Sequence, residues 1–223
     1  MTAPDRAVIF DMDGVILLSA EAHFQSWQVV AERYGWEVTH ERFLASFGQI
    51  NAEVVPLLFQ RSFEPAEIER IGYEKEAAFV EILAGDLPIA PGTRELLEAL
   101  RSEGVATAVG TSAPPENLDL VLDGADLRGL FDATIHGKDV TRGKPDPQVF
   151  LMAAERLGVA PDRCVVIEDA PVGVEAAKAA GMRAVAVLTT NAEDLLARAG
   201  SDWIAPDLVS LGTDPERFFG TPA

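Results

Sequence analysis

The chain has 223 residues, 36 acidic and 18 basic, for a formal charge of -18. That length supports one sizeable core, or a core domain plus a small inserted one, and 48% apolar residues let it fold without covalent staples. So acidic a surface repels nucleic acid and anionic membranes, no stretch approaches the ~20 apolar residues that span a bilayer, and the single cysteine, Cys164, can form no internal disulfide.

Met1 to Arg6 run straight into the apolar stretch Ala7–Phe10, without the basic region and long apolar segment of a signal peptide. A cytoplasmic protein with Cys164 as a core thiol is expected. Ala7–Phe10 reads as the first strand. From Ser19 to about Leu87 no strand is visible. Glu21–Tyr34, His40–Ser46, Ala52–Gln60 and Pro65–Leu83 read as helices, and Trp27, Trp36, Phe43, Phe47, Phe59 and Phe79 are expected to form their core. Leu87 to Gly92 is a return linker. Strands then follow at Val105–Val109, Ala133–Ile135, Cys164–Ile167 and Ala184–Val187. Helical patterns cover Gly92–Ser102, Glu116–Leu122, Pro147–Leu157, Val172–Ala180 and Ala192–Ala199. After Trp203-Ile204-Ala205 a loose tail is expected. The alternation of apolar strands with helices predicts an α/β fold, a Rossmann-like parallel sheet core with an inserted α-helical cap domain. The boundaries are residues 1–18 and 88–223 for the core and 19–87 for the insertion.

Four strand ends carry polar residues. Asp11-Met12-Asp13-Gly14 ends the first, with two carboxylates at i and i+2 that need a cation or a shared proton. The bland alternative is an Asp-led turn that ends the strand. Gly110-Thr111-Ser112 ends the second, offering hydroxyls and backbone N–H groups to an anion, or a helix cap before Pro114-Pro115. In Gly143-Lys144-Pro145-Asp146-Pro147, Asp146 and Pro147 fit an N-cap and a first helical residue. Lys144 is either a phosphate clamp or a surface lysine. Glu168-Asp169 ends a strongly apolar strand, where acids can hold Mg²⁺ or Asp169 can cap the next helix. Each has a bland explanation, but a parallel sheet gathers all four at one rim, an acidic metal site beside a phosphate site. An acidic protein that takes a phosphorylated substrate needs such local cations.

This ordered set, with Glu21, His23, Phe24 and Trp27 after the first motif, resembles the haloacid dehalogenase superfamily over roughly residues 7 to 190. It is most similar to the branch of β-phosphoglucomutase and phosphoglycolate phosphatase. The resemblance implies a small helical cap that closes over the site, and an Mg²⁺-dependent phosphatase of a small phosphorylated metabolite, a phosphosugar or phosphoglycolate-like ester. It implies Asp11 as nucleophile, forming an aspartyl-phosphate, and Asp13 as acid and base. It implies Thr111, Ser112 and Lys144 around the phosphate, and Asp11, the Asp13 carbonyl, Asp169 and Glu168 around the metal. Gln49 and Asn51 fall where the cap meets substrate. Leu18 stands where the branch usually has Asp, at the hinge, and Ile50 where Arg often precedes the Asn. His23 can steady Asp13 or simply pack, and is left out of the catalytic set. A phosphosugar mutase is the alternative. It is disfavoured because Ser46–Asn51 holds no cation and Arg33, Arg42, Arg61, Arg70 and Lys75 read as surface groups. A dehalogenase leaves Asp13, Glu168 and Asp169 unexplained, and an idle binding protein would not keep every reactive residue. No nucleic acid or membrane partner is expected, and a monomer is the favoured assembly.

Overall fold

The structure, a computed structural model, describes residues 4–220. Six parallel strands form one sheet: β1 (Ala7–Phe10), β2 (Ala106–Gly110), β3 (Ala133–Ile135), β4 (Cys164–Glu168), β5 (Arg183–Val187) and β6 (Trp203–Ala205), in the order β3-β2-β1-β4-β5-β6. Side-chain alternation explains why the strands are apolar on both faces. Val8, Phe10, Val165, Ile167, Val185 and Val187 pack on one side, and Ala7, Ile9, Val166, Ala184 and Ala186 on the other. Helices α5 (Thr93–Ser102), α6 (Pro115–Gly124), α7 (Gln148–Leu157), α8 (Pro171–Ala179) and α9 (Glu193–Arg198) join the strands. Chain order reverses around β1, so the crevice at the carboxyl ends of β1, β2 and β4 is a topological switch point.

Between β1 and α5 the chain makes four helices, α1 (Ala20–Tyr34), α2 (His40–Ser46), α3 (Asn51–Phe59) and α4 (Pro65–Leu83). They have a core of their own, built on Trp27, Val30, Phe43, Val55, Leu58, Phe59 and Ile71, with Trp36 against it. Phe79 departs from the expected arrangement: it packs with Phe10, Met12 and Val15 in the sheet-side core. The chain leaves and returns side by side. Leu18 N–H donates to Pro88 O at 2.8 Å, Ala90 N–H donates to Ile16 O at 2.8 Å, and Leu17 bridges Ile89. Leu18 lies at this double crossing with its side chain in solvent.

The end of the chain corrects the sequence reading. Trp203–Ala205 is a sixth strand, paired with β5, and α10 (Leu208–Leu211) and α11 (Glu216–Phe219) follow it. Leu208, Leu211 and Phe218 bury themselves in the sheet-side core, so apolar burial orders a segment whose Pro and Gly content suggested a loose tail. Helix α7 begins at Gln148, one residue later than expected. Asp146 still serves the end, accepting from Gln148 N–H at 3.0 Å.

Candidate active site

The strand ends bring Asp11, Lys144, Glu168 and Asp169 together, all buried. Lys144 Nζ donates to Asp11 Oδ1 at 2.8 Å and to Glu168 Oε1 at 2.7 Å, and lies 4.8 Å from the centre of the Phe150 ring. It is therefore no surface lysine. Glu168 Oε2 accepts from the N–H groups of Asp169 and Ala170 at 2.8 and 3.0 Å. This fixes the carboxylate, and its packing leaves no room for a side chain at position 173: a Cβ on Gly173 would run into Glu168 Oε1 and Cδ. Gly14 is constrained twice, by a φ of 82° and by Asp169 Oδ2, which sits where its Cβ would be.

Asp169 does not cap α8. The cap residue is Ala170, and neither oxygen of Asp169 has a hydrogen-bond partner among the described residues. Carboxylate oxygens of Asp11, Glu168 and Asp169 lie within 4.8 Å of one another. Three buried acids against one ammonium leave an excess of negative charge, and the carboxyls respond. Burial pushes Asp11 up to about 7, with Lys144 opposing and the charges of Glu168 and Asp13 adding to the rise. Asp169 is raised well above its ordinary value by burial, then by Glu168 and Asp11. Lys144 shifts up too: burial opposes its charge, but Asp11 and Glu168 outweigh it. Two unpartnered oxygens beside this excess charge fit a divalent cation, which favours hard carboxylate ligands.

Asp13 faces the helical insertion. Its Oδ1 accepts from Ser19 Oγ at 2.7 Å and pairs with His23 Nε2 at 2.9 Å. Burial alone would raise this carboxyl; His23 and the Ser19 bond outweigh it and hold it below its ordinary value. His23 stacks on Phe79 with ring centres 3.9 Å apart, and its Nδ1 meets Lys75 Nζ at 2.7 Å. An ammonium has only hydrogens to offer, so Nδ1 accepts and Nε2–H is left to donate to Asp13. Lys75 Nζ also reaches Glu76 Oε1 and Oε2 at 3.0 and 3.1 Å. Lys75 is 3% exposed, so the expectation of a surface group is wrong for this residue. It shares a helix face with Ile71 and Phe79, four residues to either side, and all three are buried. That spacing was the available signal. His23, Ser26, Trp27 and Val30 likewise form one buried face of α1.

Asp11, Asp13, His23 and Lys75 line one chamber together with Thr111, Ser112, Gln49, Asn51, Glu76 and Asn117. Trp27, Phe43 and Phe47 line it too, so these aromatics serve both the insertion's core and the chamber wall. Thr111 is buried, and its Oγ1 accepts from Ala113 N–H at 3.0 Å. The Ser112 hydroxyl donates to Gly48 O, in the insertion, at 2.7 Å. Asn51 likewise spends an amide hydrogen on Glu76 Oε1 at 2.7 Å. Glu53, on α3, packs against Gly143 beside Lys144, where an added Cβ would strike its carboxylate.

The sequence pattern of haloacid dehalogenase-like hydrolases matches residues 6–181, a span that holds every one of these groups. The chain belongs to that family. It is 37% identical to the phosphorylated carbohydrates phosphatase of Thermotoga maritima over 184 residues, which cover 81% of this chain and 83% of that protein. It is 32% identical to the fructose-1-phosphate phosphatase YqaB of Escherichia coli over 182 residues, 81% of this chain and 95% of that one. Its fold superposes on the β-phosphoglucomutase of Clostridium difficile with a TM-score of 0.87 at 25% identity, covering 96% of this chain and 97% of that one. The α/β sheet with an inserted helical cap is thus the architecture of this family. Among the described residues no helix is long and apolar enough to cross a membrane.

Proposed function

We propose that this phosphoric monoester hydrolase releases phosphate from small phosphorylated sugars, through a phosphoryl group carried transiently on Asp11. The observation that carries the reading is the buried Asp11 carboxylate, 2.8 Å from Lys144 Nζ and beside the unpartnered oxygens of Asp169. An anion attacking a phosphate dianion must have that charge offset, and a buried ammonium supplies part of the offset. Asp11, Asp169 and the Asp13 carbonyl would hold Mg²⁺, which draws charge from the phosphoryl oxygens when bound. Glu168, whose two oxygens already take three N–H donors, would act on the metal through water and chiefly orient Lys144.

In the first step an Asp11 oxygen bonds to phosphorus as the bond from phosphorus to the alcohol oxygen breaks. Asp13 gives its proton to that oxygen. In the second, Asp13 takes a proton from water, whose oxygen bonds to phosphorus and frees Asp11. The hydrogen bond from His23 Nε2–H favours the base form of Asp13. A phosphate dianion arriving nearby favours the acid form, through like-charge repulsion. Thr111, with the backbone N–H groups of its loop and of Ser112, and Lys144 would cradle the phosphate, while Gln49 and Asn51 face the rest of the ester.

The division into a core of residues 1–18 and 88–223 and a cap of 19–87 accounts for entry. The chamber is narrow, with about 50 Å³ of water-accessible space between the cap and the strand ends. A cap that swings about the crossing at Leu17–Leu18 and Pro88–Ala90 would widen it to admit substrate. Among the side chains that line the chamber, Lys75 is the cap's one strong cation, and its hydrogens are taken by His23 and Glu76. That leaves a second phosphate without a clamp and favours hydrolysis over the mutase reaction. A cytoplasmic setting suits the single free thiol, Cys164.

A phosphate-release screen over phosphosugars, with Mg²⁺ or with EDTA, tests the reading. Release should require the metal and vanish in Asp11→Asn, whose amide is no nucleophile. Undiminished release by that variant would sink the mechanism.

A further inference from the structure

One polar atom of the chamber wall is left over by the chemistry above. Asn117, on α6, is 1% exposed and lines the chamber, yet its Oδ1 has no hydrogen-bond partner among the described residues. Its orientation is not ambiguous. Nδ2 donates to Glu76 Oε2 at 2.6 Å, and a carboxylate can only accept, so Oδ1 is the atom left facing other neighbours. A buried acceptor without a donor costs about 1–3 kcal/mol, so the wall is built to be completed by something that donates.

Glu76 is the second half of this wall. It gathers Lys75 at 3.0 and 3.1 Å, Asn51 at 2.7 Å and Asn117 at 2.6 Å. Burial would raise its carboxyl, but Lys75, then His23 and the two amides, hold it below its ordinary value. The carboxylate thus stays charged where α3 and α4 of the insertion meet α6 of the sheet domain. The cation beside it is engaged by His23 and Glu76 itself, so a ligand entering here meets acceptors and negative charge.

We propose that Asn117 and Glu76 read the alcohol half of the ester by accepting hydrogen bonds from its hydroxyl groups, and so select phosphate esters of neutral polyols over esters that carry a carboxylate. The inference rests on the phosphatase reading above. A polyol hydroxyl supplies the hydrogen that Asn117 Oδ1 lacks, and a second hydroxyl can replace an amide on Glu76. A carboxylated ester brings only acceptors to Asn117 and a like charge to Glu76, and a site built to pair a hydroxyl discriminates strongly against a ligand that leaves it unpaired. Since Glu76 joins the insertion to the sheet domain through Asn117, the same contacts tie recognition of the polyol to closure.

The test compares kcat/KM for fructose 1-phosphate, 2-phosphoglycolate and p-nitrophenyl phosphate, whose alcohol half has no hydroxyl to donate. Wild type, Asn117→Ala and Glu76→Gln are measured with Mg²⁺, each checked for folding by its thermal transition. Wild type should favour the sugar ester over phosphoglycolate by about 10²-fold or more. Asn117→Ala should lower the sugar ester about tenfold relative to p-nitrophenyl phosphate, and Glu76→Gln should narrow the gap between sugar ester and phosphoglycolate. Equal rates of wild type on those two esters would overturn the proposal, as would variants that depress all three substrates alike. If wild type releases phosphate from none of the three esters, the phosphatase reading itself falls and takes this one with it.

Discussion

Replacing Lys144 with Met keeps most of the side chain's bulk and removes the one buried cation in contact with Asp11 and Glu168. Two charge-assisted hydrogen bonds, at 2.8 and 2.7 Å, disappear, each worth about 1.5–3 kcal/mol. Breaking a buried ion pair by removing one partner costs about 3–5 kcal/mol, a large share of the ~5–15 kcal/mol that holds a domain folded. The loss must depend on pH. Burial has already lifted Asp11 to about 7 from its ordinary 3.8, so between those values the folded protein holds a proton that the unfolded chain has lost. Stability therefore falls as pH rises through that window. Without Lys144 the carboxyl rises further and the fall steepens. Urea unfolding of Lys144→Met in EDTA should show a deficit of about 3–5 kcal/mol at pH 8 and a clearly smaller one at pH 5. Hydrolysis of p-nitrophenyl phosphate should drop about 10²–10³-fold, as when a charge-stabilising donor is removed. A variant that unfolds at the wild-type urea concentration at pH 8 would refute the buried-charge argument.

Mg²⁺ should stabilise the wild-type protein more at pH 8 than at pH 5, because Asp11 and Asp169, both raised by burial, must lose their protons to bind it. Thermal transitions with and without the ion measure this, and an equal shift at both pH values would count against these ligands. Gly173→Ala sets helix propensity, a gain of about 1 kcal/mol, against a collision with Glu168, whose carboxylate is pinned by three donors. The collision should win: a net loss of about 1–3 kcal/mol in urea, with lower turnover because Lys144 moves with Glu168. A more stable, fully active variant would show that Glu168 can shift freely.

The strand ends were legible because their patterns are local. An apolar run that stops at Asp11, or at Glu168 and Asp169, marks both a strand and a rim position, and a parallel sheet does the rest. Local spacing could not say which explanation of each motif held. The capping role of Asp169 fails only once Ala170 is seen at the cap and its own oxygens are seen unbonded. The cap's contribution was harder to read because it depends on the meeting of two bodies. The helical pattern alone reads Lys75 as a solvated residue, although its spacing from Ile71 and Phe79 puts it on the buried face. Nothing in the sequence says that this face, at that turn, meets His23 of another helix. Glu76 and Asn117 meet across 41 residues of chain. The sixth strand is hard to see in the sequence for a different reason. Three residues at a sheet edge, followed by Pro and Gly, carry too little pattern until Leu208, Leu211 and Phe218 supply the burial that holds them.

If Asp11 itself carries the phosphoryl group, Asp13→Asn offers the way to catch it. With p-nitrophenyl phosphate the leaving group departs without a proton, so the first step survives, while the water-activating base of the second is gone. Asp13→Asn is mixed with this substrate and Mg²⁺, quenched in acid within one turnover, and digested for mass spectrometry. A phosphoryl group should appear on the peptide that contains Asp11, in an amount matching the p-nitrophenolate released. Release of p-nitrophenolate with that peptide unmodified, or with the phosphoryl group on another residue, would contradict it.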